Sequence, residues 1–251
     1  MSEICFDFHG KNFVVTGASS GIGKQIAFEL LEAGANVLVV ARRKELLDEI
    51  YADYRNQVTT AKVDVTADNQ WEEPLEHFVG KFGKLNGSVS AAGIEGLNPI
   101  RSFDVSLARR IIDTNFFGTI SLFQMATKTK YSQANASHVW IGSVAAHKES
   151  KGQSMYSASK GALVSSMRVL CKEISNRKQR LNVVSPGWVR TPLTEQVIES
   201  TGKEDDFNQS QYLLGTGQPE DISGVVLFLL SDRAGWMTGS EIVVDGGYLT
   251  V

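Results

Sequence analysis

The chain has 251 residues and a formal net charge of −3, from 25 Lys and Arg against 28 Asp and Glu. That length suits one large α/β domain with a sizeable core. A charge this near neutral gives no electrostatic case for a nucleic-acid partner or an anionic membrane surface.

In chain order, NFVVTG (12–17) is a short β-branched run ending in glycine and reads as a buried strand. GIGKQIAFELLEAG (21–34) has helical periodicity and a glycine where a C-terminal cap belongs. ANVLVVAR (35–42), KELLDEIYADY (44–54) and QVTTAKVDV (57–65) read as strand, helix and strand. NQWEEPLEHFVGKFG (69–83) reads as a helix and GSVSAAG (87–93) as a strand. A long helical stretch is expected over 104–131, a strand at SHVWIGSV (137–144) and another long helix over 155–177. RLNVVSPG (180–187) reads as a strand and SEIVVDGG (240–247) as the last one. PEDISGVVLFLLSD (219–232) is a helix with an acidic first turn, as its dipole favours. Alternating strands and helices predict a doubly wound parallel sheet of about seven strands with helices on both faces. No linker divides the chain, so one domain over 1–251 is expected. The polar, acidic stretch 190–216 stands out as either a substrate lid or plain surface.

Other features exclude more. Cys5 and Cys171 form no CxxC pattern, so a disulfide framework is not expected and a reducing compartment is. No apolar run approaches the ~20 residues of a membrane span. MSEICFDFHGKNF does not read as a signal peptide, and a cytoplasmic protein is expected. His9, His77, His138 and His147 have no metal-ligand spacing, so no metal is expected.

Three stretches carry chemistry. TGASSGIG (16–23) joins the first strand to the first helix, with glycines at Gly17, Gly21 and Gly23. Backbone N–H groups in such a turn can approach a pyrophosphate, and the helix N-terminus favours its charge. The second strand ends in Ala41-Arg42-Arg43, where an acidic residue would bind the ribose hydroxyls of NAD. A guanidinium there suits the 2′-phosphate of NADP; the alternative is that both arginines merely solvate the next helix. YSASK (156–160) sets Tyr156 and Lys160 four residues apart, on one helical face. A tyrosine keeps its proton to pH ~10, and a nearby ammonium lowers that pKa. The pair is therefore a candidate proton donor and acceptor for a carbonyl and its alcohol.

Taken together with Asp64-Val65, SAAG (90–93), Asn115, Ser143, PGWVRT (186–191) and VDGG (244–247), these motifs resemble a classical short-chain dehydrogenase/reductase over essentially the whole chain. The chain is most like members of the 3-oxoacyl-(acyl carrier protein) reductase type. It departs from the family at Ser90, where asparagine is usual. The resemblance implies a Rossmann fold and an NADP(H)-dependent oxidoreductase, with NAD the less expected cofactor. Tyr156 would be the general acid/base, and Lys160 would lower its pKa and hold the nicotinamide ribose. Ser143 would orient the substrate oxygen, and Asn115 would hold a water in a proton relay. Gly17, Ser19, Ser20, Gly21, Ile22 and Gly23 would cradle phosphate, and Arg42 and Arg43 the 2′-phosphate. Asp64 and Val65 would meet adenine, with Ser90, Ala91 and Gly93 beside the adenosine half. Pro186, Gly187, Val189 and Thr191 would cradle the nicotinamide, and Trp188 is a candidate pocket wall.

The substrate is expected to be a small-molecule carbonyl or alcohol: a 3-oxoacyl thioester, or alternatively a small ketone, sugar or steroid. An acidic carrier would need a basic patch at the mouth, for which Lys128, Lys130, Arg177, Lys178 and Arg180 are candidates. The acidic side chains of 190–216 argue against such a carrier. A non-catalytic NADP-binding sensor or scaffold is the alternative of another class. A homotetramer, or else a dimer, is implied, with the helices of 104–131 and 155–177 pairing between subunits.

Overall fold

A computed structural model describes residues 5–67, 69–148, 151–195 and 212–250. The strands are β1 Asn12–Thr16, β2 Asn36–Ala41, β3 Val58–Lys62, β4 Leu85–Ser90, β5 Ser132–Ile141, β6 Arg180–Pro186 and β7 Glu241–Val244. They form one sheet in the order β3-β2-β1-β4-β5-β6-β7, every pair parallel. The described helices are α1 Gly21–Glu32, α2 Lys44–Ile50, α3 Glu72–Phe82, α4 Val105–Ile112, α5 Gly118–Ala126, α6 Ser154–Glu173 and α7 Pro219–Leu230. The expected Rossmann architecture is what the chain adopts.

The central strand β1 explains why helices cover both faces. Phe13 and Val15 pack with Ile26 and Leu30 of α1, Leu47 of α2 and Val226 of α7. Val14, pointing the other way, packs with Leu75 and Phe78 of α3 and Leu122 of α5. A third cluster joins Leu163 and Met167 of α6 to Trp140 and Val183. Burying such side chains contributes roughly 1.5–3 kcal/mol each. The sheet is therefore held by these clusters, and residues just past the strand ends are available for a site. All C-terminal strand ends lie along one edge, and the order reverses between β1 and β4. A crevice opens at such a reversal.

Two boundaries differ from the sequence reading. The stretch 104–131 is not one regular helix: α4 and α5 are joined by a π-helical segment, Asp113–Phe117, and α5 ends at Ala126. Thr127 Oγ1 donates back to the Phe123 carbonyl at 2.9 Å, a bond that competes with continuation of the helix. Strand β5 begins at Ser132 rather than 137. Ser132 pairs with Leu85 before an irregularity, with Asn135 at φ 65°, and Gly87 then pairs with Ser137.

Of the segment 190–216, residues 196–211 lie outside the described residues. Its two ends meet at a bridge between Val189 and Gly217. Among the described residues no helix is long and apolar enough to cross a membrane, and no group of three His, Cys, Asp or Glu is placed to hold a metal ion.

Candidate active site

A cavity of about 780 Å³ lies over the C-terminal ends of the strands. At one end is the glycine turn after β1. Gly17 has φ 67°, and a Cβ on it would stand 2.8 Å from the Ala91 carbonyl oxygen. A Cβ on Gly23 would stand 2.6 Å from the Gly17 oxygen. Both positions require glycine, because the obstacle is backbone. Ser20 caps α1 in extended conformation, and the first N–H groups of the helix have no carbonyl one turn earlier. Gly17, Ser19, Ser20, Gly21, Ile22 and Gly23 all line the cavity, a cradle fitted to a diphosphate. The turn is tied down from behind: the buried Tyr51 hydroxyl donates to the Ala18 carbonyl at 2.7 Å.

Beyond the turn, Ala41, Arg42 and Arg43 form the rim, with both guanidinium side chains exposed. Asp64 and Val65 also line the cavity. Asp64 Oδ1 accepts from the Thr66 N–H at 3.0 Å and the Thr66 hydroxyl at 2.7 Å. These bonds, the backbone one foremost, hold its carboxyl below the usual range, and Arg42 adds to the effect. Ala91 and Gly93 continue the lining past β4. Thr16 Oγ1 fixes that edge by accepting from the Ala91 and Ala92 N–H groups at 2.9 and 3.0 Å. Ser90 lies beneath: it is buried, is outside the lining, pairs in register with Trp140, and its hydroxyl has no hydrogen-bond partner. Pro186, Gly187, Trp188, Val189 and Thr191 line the cavity as well, with Thr191 next to the glycine turn: a Cβ on Gly21 would lie 3.1 Å from Thr191 Cγ2.

Of the candidate reacting groups, Ser143, Tyr156 and Lys160 line the cavity, and Asn115 lies outside the lining. Tyr156 and Lys160 stand on the first two turns of α6, and Ser143 follows β5, its Oγ accepting from the Ala145 N–H at 3.1 Å. Lys160 is 6 % exposed. Its Nζ donates to the Ile141 carbonyl at 2.9 Å and lies 5.7 Å from the centroid of the Tyr156 ring. Burial pushes its ammonium down to about 8, against the opposing charge of Glu95. Asn115 sits inside the π segment, 1 % exposed. Its amide donates to the Ile94 carbonyl at 2.9 Å and accepts from the Ile94 N–H at 2.8 Å. It also donates to Ser159 Oγ. The π turn puts this side chain inward, where it clamps the loop after β4 to α6.

The structure brings in residues that the motifs do not contain. Glu95 and Gln153 face each other in the cavity lining, the Gln153 amide donating to Glu95 Oε1. Tyr212 and Tyr248 also line the cavity and stack, ring centroids 4.9 Å apart at 15°. Trp188, a candidate from the sequence, is there with them. Glu95 was findable by position, two residues past Gly93 at the strand-order reversal. Gln153 reads as an ordinary residue before a helix.

The expected basic patch is not beside the chain's own cavity. Arg180 starts β6 and Pro186 ends it, so the two are roughly 20 Å apart along the strand. Lys128 and Lys130 precede β5, at the same far edge of the sheet as Arg180. Arg177 donates to the Thr127 and Ser132 carbonyls, Arg180 to the Ser231 and Met237 carbonyls, and Lys130 pairs with Glu76. These cations serve strand starts and loops.

A family model described as enoyl-(acyl carrier protein) reductase matches residues 17–249. The 3-oxoacyl-[acyl-carrier-protein] reductase FabG of Thermotoga maritima is 33% identical over 249 residues, covering 95% of this chain and 97% of that protein. Among solved structures, a Brucella melitensis protein described as short-chain dehydrogenase/reductase SDR:Glucose/ribitol dehydrogenase superposes with TM-score 0.91 at 31% identity, covering 98% of this chain and 99% of its own. The structure of ElxO with NADP bound superposes with TM-score 0.84 at 25% identity, covering 96% and 99%. With its sheet order, its glycine turn and these relatives, the chain belongs to the short-chain dehydrogenase/reductase family of oxidoreductases.

Proposed function

We propose that the protein is an NADP(H)-dependent oxidoreductase that interconverts a carbonyl compound and a secondary alcohol, with Tyr156 as general acid/base. The observation that carries this reading is the Lys160 ammonium, buried in the cavity floor 5.7 Å from the Tyr156 ring. A cation kept there stabilises the phenolate left when the phenol gives up its proton. When bound, the nicotinamide supplies or accepts the hydride. In reduction, the Tyr156 hydroxyl protonates the substrate oxygen, and the Ser143 hydroxyl donates a second hydrogen bond to it as charge develops. Asn115 holds the water that links Lys160 to solvent. Asn115 and Lys160 both lie next to Gly93, where an added Cβ would stand 3.3 Å from Asn115 Oδ1 and 3.7 Å from Lys160 Nζ.

The glycine turn and the α1 N-terminus would hold the diphosphate, Asp64 and Val65 the adenine, and Ala91 and Gly93 the adenosine side. Pro186, Gly187, Val189 and Thr191 would hold the nicotinamide. NADP is favoured over NAD by Ala41 at the acidic position and by two exposed guanidiniums at the rim, and a family relative has been solved with NADP bound. The relatives' names span 3-oxoacyl thioesters and polyols, so the substrate is a carbonyl or hydroxy compound whose class the pocket must select. A cytoplasmic homotetramer is the assembly proposed. Exposed Val105, Phe117 and Val169, on α4, the π segment and α6, favour pairing through those helices. Sedimentation as a monomer at micromolar concentration would overturn it.

The test is Tyr156→Phe, with NADPH and NADH titrated in parallel by nicotinamide fluorescence. Turnover should collapse while NADPH binding survives, and NADPH should bind more tightly than NADH. Undiminished turnover refutes the acid/base role, and preference for NADH refutes the cofactor assignment.

A further inference from the structure

Trp188, Tyr212 and Tyr248 line the cavity, and of its two carboxyl groups, Asp64 and Glu95, it is Glu95 whose charge acts on Lys160. Glu95 is held in place from two sides. Its neighbour Ile94 is bonded through both N–H and carbonyl to Asn115. Its own Oε1 takes the Gln153 amide. Gln153 caps α6, and Tyr156 lies three residues on, so the two side chains are neighbours on the helix face. The Glu95–Gln153 pair therefore stands beside Tyr156 in the same cavity, within reach of a substrate whose carbonyl oxygen meets that tyrosine.

The chemistry of that pair narrows the substrate. A carboxylate offers about four acceptor positions, and the single Gln153 bond leaves others for a ligand. Burial pushes the Glu95 carboxyl up, opposed by the Gln153 bond and the charge of Lys160, so a donor from the ligand relieves a real desolvation cost. An apolar acyl chain would bring no donor to the acceptor positions that the Gln153 bond leaves open. An anionic substrate would face like charge. A hydroxyl can donate to the carboxylate without bringing charge of its own.

We propose that Glu95, oriented by Gln153, is the specificity-determining residue of this enzyme, binding a hydroxyl on the carbon next to the reacting one, so that α-hydroxy carbonyl compounds and their vicinal diols are its substrate class. This rests on Tyr156 as the acid/base. The reacting carbon takes hydride from the bound reduced nicotinamide, its oxygen takes the Tyr156 proton, and the neighbouring hydroxyl donates to Glu95 unchanged.

The experiment compares kcat/KM with NADPH for 3-hydroxy-2-butanone and 2-butanone, which differ by one hydroxyl, and for the S-acetoacetyl thioester of N-acetylcysteamine. The native protein should favour the hydroxyketone over butanone by about tenfold or more. Glu95→Leu should bring that ratio near one, mainly by raising KM for the hydroxyketone relative to butanone. Glu95→Gln, which keeps an acceptor without the charge, should fall between. A native ratio near one, a preference for the thioester, or an equal loss on all three substrates in Glu95→Leu overturns the inference. Loss of turnover in Tyr156→Phe alongside such a result leaves the acid/base reading standing and removes only this one. Turnover that survives in Tyr156→Phe, or none of any substrate by the native protein, removes both.

Discussion

Asn115 Nδ2 donates to Ser159 Oγ at 3.0 Å, and Ser159 Oγ in turn donates to the Tyr156 carbonyl at 2.7 Å. One amide therefore grips both the loop after β4 and the turn of α6 that carries the tyrosine. Asn115→Leu removes the partners of the Ile94 N–H and carbonyl together. An unpaired buried polar group costs about 1–3 kcal/mol, so a loss on the order of 3 kcal/mol is expected in urea unfolding. Ser159→Ala spares Ile94 and should cost about 1 kcal/mol. It should lower kcat severalfold with NADPH affinity unchanged, because only the seating of Tyr156 is loosened.

Tyr51→Phe tests the tether behind the glycine turn. The hydroxyl lies 2.7 Å from the Ala18 oxygen, and burial pushes its pKa far up, so it acts only as a neutral donor. Stability should fall by about 1 kcal/mol. NADPH should bind severalfold more weakly, while kcat at saturating NADPH is unchanged. A change in kcat with unaltered NADPH affinity would contradict the tether.

Glycine substitutions should separate two kinds of glycine. Gly17→Ala puts a Cβ 2.8 Å from a backbone oxygen at φ 67°, a conformation costing about 1–3 kcal/mol for other residues. NADPH binding should fall by about a hundredfold or more. Gly80, exposed in α3, has nothing within 4 Å of an added Cβ. Gly80→Ala should raise stability by about 0.5–1 kcal/mol. Calorimetry and nicotinamide fluorescence read both.

The pH dependence of stability should carry the signature of Lys160. Its folded pKa of about 8 lies below the ordinary lysine value of 10.5, so between these values the unfolded chain holds the proton more tightly. Stability from this group therefore rises with pH from about 8 to 10.5. Below 8 both states are charged and its full cost of about 3 kcal/mol applies. The titratable groups facing it are Tyr156 on α6 and Glu95 after β4. Lys160→Met should be more stable than the native protein at pH 7, the gap closing toward pH 10.5. Glu95→Gln removes a charge that raises the Lys160 pKa, so the rise should begin at lower pH. Urea midpoints of the NADP-free proteins from pH 7 to 10.5 check this, and a constant gap would contradict it.

The fold was legible because strands of a covered parallel sheet are continuous apolar runs. NVLVVA and NFVVT need no partner to be identified, and the helices between them leave few topologies. The reacting groups were legible because Tyr156 and Lys160 are neighbours along one helix. Glu95 and Gln153 are 58 positions apart, and only the docking of α6 against the loop after β4 makes them a pair. The cations at 128–130 and 177–180 looked available for a partner because a sequence does not say which edge of the sheet a strand's start occupies. The early start of β5 was not legible because its first pairing, Ser132 with Leu85, is in a separate, shifted register.

The π segment Asp113–Phe117 holds one more residue in its turn than an α-helix would. Deleting a single residue within it would let α4 and α5 run on as one regular helix, with backbone bonds unbroken and helix propensity improved. The cost would be angular: everything on α4 would turn by about 100° relative to α5. Mutational scanning by substitution alone would never reveal this, since no side chain carries it. A one-residue deletion that preserves thermal stability while Asn115 loses Ile94 would uncouple folding from activity by altering the length of the chain.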